Sequence, residues 1–249
     1  MTDSDQNLPP NKRFATTQWS VVLRAGASDP ESTHAALTEL TKSYWYPLYA
    51  YARRQGNAEH DAMDLTQGFF THLLSGNALE TVSPEKGRFR TFLLVAFRNF
   101  MSNQRRAADT IRRGGAVQVV SLSADDFQAR FDREPTHDET PEMCFQRNWV
   151  EALLAKVRAE LADDYLEAGK SALFALLEPY LTHRGDVVPR AEIGKRTNLS
   201  PAAVSMSIHR MRRRYGELLR REVASTVDNP DDVEDELRTL MAIVSGSTV

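Results

Sequence analysis

The chain has 249 residues, of which 41% are hydrophobic and 26% charged, with a formal net charge of −3 at pH 7. That length suits one large domain or two small ones, and the composition is that of a soluble globular protein. No apolar run approaches the roughly 20 residues needed to cross a bilayer, the polar start MTDSDQNLPPNKRF lacks a secretory pattern, and the lone Cys144 cannot form an intramolecular disulfide or a zinc site; a cytoplasmic protein without membrane association is expected.

Residues 1–14 are polar and proline-rich and read as disordered. Thr17 can cap a short helix to Ala25. A long helix is predicted from Pro30 to about Gln55, with Leu37, Leu40, Tyr44, Trp45, Leu48 and Tyr51 as its core face. Pro47 should kink it or end it early. Gly56-Asn57 is a turn, and Ala58–Leu74 is a further helix. After the Ser83–Gly87 loop, Phe89 to about Arg106 forms another helix, apolar at its start and basic at its end.

Gly114-Gly115 breaks this pattern. The acidic segment that follows contains Pro135 and has no sustained period, so it reads as an irregular linker. Val117–Val120 is the one strand-like run and is too short to build a sheet. A second helical domain opens at Thr140-Pro141, with a helix to about Leu161, one near Lys170–Leu181, a helix-turn-helix, and an acidic helix near the C-terminus. The expected fold is all-α. Its parts are a disordered 1–14, a helical domain over 15–112, an acidic linker over 113–139, a second helical domain over 140–222 and an acidic tail over 223–249.

Charge is divided along the chain. Arg88–Arg113 carries seven arginines against Asp109, a net of +6, and Arg190–Arg221 carries nine Lys/Arg against two Glu, a net of +7. Ser121–Glu142 has a net of −5, and the chain from Glu222 a net of −6. Two basic blocks alternate with two acidic ones, and it is this local charge that bears on the partner.

The second basic block is the most informative. Pro189 suits the first turn of a short helix, which should stop near Thr197-Asn198 because Asn tolerates the left-handed conformation. Ser200-Pro201 then pairs an N-cap with a first helical position. In the next helix Val204, Ile208, Met211, Tyr215 and Leu218 share one apolar stripe. Arg210, Arg213, Arg214, Arg220 and Arg221 fall on the far side. Most charged helix faces are merely solvated, but such faces mix both signs, and this one is nearly all basic. The pattern points to a helix-turn-helix on DNA.

In the first domain, Asp61, Asp64 and Gln67 share a polar face at spacings of three, opposite Leu65, Phe69 and Leu73. Alone this is an ordinary amphipathic helix. His60-Asp61 is a dipeptide of metal phosphohydrolases, but the further His and Asp ligands are not in place. In the Phe89–Arg106 helix the aromatics are mainly core. Arg98, Asn99, Ser102, Asn103, Arg105 and Arg106 lie three or four apart and suit phosphates and base edges.

Taken together in this order, DAMDLTQGFFTHLL, FRTFLLVAFRNFMSNQRR and AEIGKRTNLSPAAVSMSIHRMRRRYGELL resemble the extracytoplasmic-function group of the sigma-70 family, the promoter-recognition subunits of bacterial RNA polymerase. The resemblance covers most of the chain and is nearest to a divergent subgroup that begins FATTQWSVVL and has a longer linker containing TPE. It implies that Asp61, Asp64, Gln67 and Phe70 dock on core RNA polymerase. It implies that Phe92, Arg98, Asn99, Ser102, Asn103, Arg105 and Arg106 melt and read the −10 element. It places Ser200, Ala203, Met206, Ser207, His209, Arg210, Arg213 and Arg214 at the −35 element. Phe92 stands where relatives often have Trp, Ser205 and Ser207 where they often have Lys or Arg, and Lys195-Arg196 where a more apolar pair is usual.

The expected function is therefore promoter-specific transcription initiation, with core RNA polymerase and promoter DNA as partners and room for an anti-sigma factor or another regulator. No cofactor, no metal and no catalysis is expected, since there is no nucleophile set, phosphate loop or paired carboxylate. The alternative is a dimeric helix-turn-helix regulator that does not bind core polymerase and gives the first domain no role.

Overall fold

The computed structural model describes residues 30–74, 88–110, 124–134, 139–182, 187–227 and 229–246. The readings made for 1–14, Thr17–Ala25, Ser83–Gly87 and Val117–Val120 lie outside these. The chain divides into two compact units. Among the described residues the structure is helical, with no strand.

The first unit is built on α1, Pro30–Arg54. Leu40, Tyr44, Trp45, Leu48 and Tyr51 are buried, as the periodicity predicts, but so are Tyr46, Tyr49, Ala50 and Ala52. A stretch of helix covered on every side, as 44–52 is, lies at the centre of its bundle. Pro47 lies inside α1 and does not end it. The helix bond that residue 47 would donate cannot form, yet every residue from Tyr44 to Ala52, Pro47 included, is buried, and burial on that scale outweighs one missing bond.

Two helices pack on α1: α2, Glu59–Leu74, and α3, Phe89–Thr110. Aromatic rings join all three. Trp45 stacks on Phe70, Tyr44 meets Phe89 edge-on, and Phe97 lies against both Tyr51 and Phe69. Gly68 lets α2 and α3 approach closely, since a Cβ there would meet the Phe100 ring at 3.3 Å.

The acidic segment expected to be an irregular linker contains α4, Ala124–Asp132. Phe127 sits 5.8 Å from the Tyr46 ring and 6.1 Å from Tyr49, and Phe131 meets Tyr49 edge-on. The Arg53 and Arg54 guanidinium groups lie about 5 Å over Phe131, and Arg130 lies 3.7 Å over Tyr46. Just past the helix Glu134 is buried, where it accepts hydrogen bonds from the Tyr46 hydroxyl and the Cys144 thiol and sits 3.9 Å from Arg54. Burial and the Glu134 carboxylate push the Tyr46 phenol well above its ordinary pKa. Nine residues are too few to show a helical period by themselves, and it is the two phenylalanines pairing with distant tyrosines that hold this helix in place.

The second unit takes α5, Pro141–Glu167, from Gln146 onward, then α6, Ser171–Leu177, and α7, Pro179–Thr182. The single helix expected near 170–181 is two, because Pro179 cannot donate to carry the first one on. It continues through α8, Arg190–Thr197, and α9, Pro201–Ala224, to α10, Val233–Ser245. Val157, Leu161, Phe174, Leu177, Ile193, Val204, Ile208, Met211 and Leu218 form its core.

The turn between α8 and α9 follows the sequence closely. Asn198 adopts φ 56° and ψ 37°, the left-handed region, and the Leu199 N–H reaches back to the Gly194 carbonyl at 3.0 Å. The Ser200 hydroxyl oxygen accepts the Ala203 N–H at 3.2 Å and caps α9. Pro189 is the N-cap residue of α8 rather than its first helical residue. Gly194 is required here: a Cβ would lie 2.6 Å from the Leu199 carbonyl oxygen. Gly194→Ala should therefore lower stability by about 1–3 kcal/mol in urea unfolding, with an unchanged m-value. An unaffected midpoint would show that this turn can open without cost.

Candidate polymerase and nucleic-acid interface

On α2, Asp61 and Asp64 are exposed and Gln67 is half-buried, while Ala62, Thr66, Phe69 and Leu73 face the core. The acid–amide face predicted from spacing is present. Phe70 is different. It is only 4% exposed and stacks on Trp45 with planes 13° apart, so it holds the helix in place and offers no contact surface. Position 70 continues the spacing of three, but that line turns back about 60° at each step, and by Phe70 it has reached the packed side, where Trp45 receives the ring.

On α3, Phe89, Leu93, Phe97 and Met101 are buried, and Arg98, Asn99, Ser102, Asn103, Arg105 and Arg106 are exposed. Phe92 is half-buried, 6.1 Å from the Phe89 ring. The structure thus brings all the proposed −10 residues onto the open side of one helix. It also adds two that sequence reasoning passed over. Thr91 and Val95 are exposed, Val95 at 49%, and they continue the line of Arg98 and Ser102 at spacings of three and four.

Two further corrections concern charge. Arg90, counted in the basic block, is 3% exposed, and desolvation beside Arg88 pushes its guanidinium pKa down to about 10. It belongs to the interior. Glu142, at the start of α5, lies 3.8 Å from Arg98 and accepts a hydrogen bond from the Tyr51 hydroxyl at 3.3 Å. A carboxylate thus stands beside one of the proposed DNA-contacting arginines.

In the second unit α9 has the expected apolar back, with Val204, Ile208, Met211 and Leu218 buried. Its arginine front is less open than the sequence suggests. Arg214 bonds Asp164 at 2.8 Å, which holds its guanidinium pKa above the ordinary value. Arg220 pairs with Glu234 at 3.1 Å, and Arg221 with Glu160. Arg212 donates twice to the Tyr180 carbonyl, at 3.1 and 2.7 Å, and Arg213 lies 3.5 Å from Glu217, one turn on. These partners sit on other helices or one turn away, where a scan of one basic block does not see them.

The first half of α9 is more accessible. Met206, His209, Arg210 and Arg213 are exposed, Ala203 and Ser207 half-buried, and no ion pair to Arg210 is formed among the described residues. Ser200 is occupied in capping the helix, and the Ser207 hydroxyl donates to the Ala203 carbonyl at 2.9 Å. Ser205 does the same to Pro201 at 3.0 Å.

The first unit is therefore a helical bundle with an acid–amide face on one helix and an arginine–asparagine face on the next. Residues 40–111, spanning most of α1, all of α2 and α3, match the Sigma-70 region 2 family model. The match covers under a third of the 249 residues. No curated protein and no solved structure gave a match to it. Among the described residues no group of three or more His, Cys, Asp or Glu could hold a metal ion, and no helix is long and apolar enough to cross a membrane.

Proposed function

We propose that the protein is a cytoplasmic, non-enzymatic sigma factor of the extracytoplasmic-function group. It binds core RNA polymerase through the Asp61–Asp64–Gln67 face of α2, and it directs promoter-specific initiation. The observation that carries this reading is the coincidence of the region 2 match with the exposed polar faces of α2 and α3. In the proposed mechanism the exposed side of α3 takes the bases of the melted −10 strand, with Phe92 and Val95 offering apolar surface between Arg98, Asn99 and Asn103. The first turns of α9 enter the major groove at −35, where His209 and Arg210 meet base edges and Arg213 meets phosphate.

The helix-turn-helix supports DNA contact equally well for a dimeric regulator, but that reading leaves the region 2 match without a role. The test is transcription. Core RNA polymerase supplied with the purified chain should yield discrete transcripts from a fragment pool of the source genome, and polymerase alone should not. Identical transcripts with and without the chain would sink the proposal.

A further inference from the structure

We propose that Met206 forms, with Ala202 one turn before it, an apolar subsite for the 5-methyl group of a thymine in the −35 major groove. This deepens the sigma-factor reading and rests on it. At about 100° per residue, Ala202, Met206, His209, Arg210 and Arg213 form one stripe along α9, opposite Val204, Ile208 and Met211. All five are exposed, and Met206, at 52%, is the one large apolar side chain of α9 left so open among the described residues.

An isolated exposed apolar residue is ordinary on a protein surface. What distinguishes Met206 is its setting. It lies in the second turn of a helix whose start is fixed by the Ser200 cap and the Asn198 turn. The cations Arg210 and Arg213 follow it on the same stripe, so the surface it belongs to faces a polyanion rather than an apolar partner. Its neighbours Ser205 and Ser207 point their hydroxyl hydrogens back at the Pro201 and Ala203 carbonyls. Neither therefore offers a donor to a base edge, and reading at this level of the helix falls to an apolar side chain. In the major groove only thymine presents a methyl group. A methionine, unbranched and polarisable, can reach and wrap it.

The test uses the full chain loaded on core RNA polymerase. The −35 sequence is first selected from a random duplex pool, and each thymine in the selected element is then replaced singly by deoxyuridine. One replacement should weaken wild-type binding about four-fold, the effect of one lost buried methyl group. Met206→Ala should bind the thymine duplex correspondingly more weakly and no longer distinguish thymine from deoxyuridine at that position. Met206→Leu, which keeps apolar bulk, should retain the distinction, which separates the effect from a general loss of folding. Deoxyuridine tolerated by the wild type at every position, or full discrimination by Met206→Ala, overturns the subsite. A pool that yields no enriched −35 sequence overturns the sigma-factor reading as well, so the two failures are told apart.

Discussion

Asp61→Ala combined with Asp64→Ala is expected to abolish binding to core RNA polymerase while the bundle stays folded. Both carboxylates are exposed, one turn apart on α2, and the core positions of that helix are left intact. Asp61 lies in the first turn, where it favours the helix dipole, so its loss should cost about 0.3–1 kcal/mol of stability. The loss in docking is larger, because truncating one partner of a charge pair buried at an interface costs about 2–5 kcal/mol. Two such losses take an ordinary affinity below detection. Co-migration with core polymerase, read beside urea unfolding of the free chain, checks this. Normal assembly by a folded double variant would show that α2 is not the docking helix. Phe70→Ala is the useful contrast: with its ring stacked on Trp45, it should lose about 3–5 kcal/mol of stability, and any loss of polymerase binding should follow from that.

The second large effect separates the two proposed DNA surfaces. Arg210→Ala should weaken binding to duplex carrying the −35 element by about 1–3 kcal/mol and relax preference at one base pair. Asn99→Ala with Asn103→Ala should leave that binding intact and reduce strand opening. Permanganate reactivity of thymines in the melted region, measured beside duplex affinity, distinguishes them. Arg210 is the better choice over Arg214 because Arg214 is already held by Asp164. Parallel losses in both assays for both variants would mean one undifferentiated basic surface.

What could be read from the residues alone was whatever is decided locally. The α8–α9 turn came through down to its left-handed Asn198 and its Ser200 cap, because each signal is carried within about one helical turn. The exposed side of α3 came through because helical spacing sorts its residues directly. Features decided at a distance did not. Helix α4 depends on Tyr46 and Tyr49, roughly eighty residues earlier. The burial of Arg90, the continuity of α1 through Pro47 and the placement of Phe70 all depend on which neighbours pack there, which no single segment encodes. The arginines of α9 are the sharpest case. Their number is plain in the sequence, whereas their availability depends on Asp164, Glu160 and Glu234.

Those carboxylates amount to counterions that the protein carries with it. A bare arginine that meets a phosphate displaces condensed cations from DNA, and their release is what makes binding fall steeply with salt. An arginine such as Arg214, with Asp164 at 2.8 Å, must first give up a partner of its own. That exchange swaps one ion pair for another, so a contact made this way adds little net attraction. Nonspecific grip along arbitrary duplex is thereby held down, and discrimination falls to the few side chains at the start of α9 that have no such partner among the described residues.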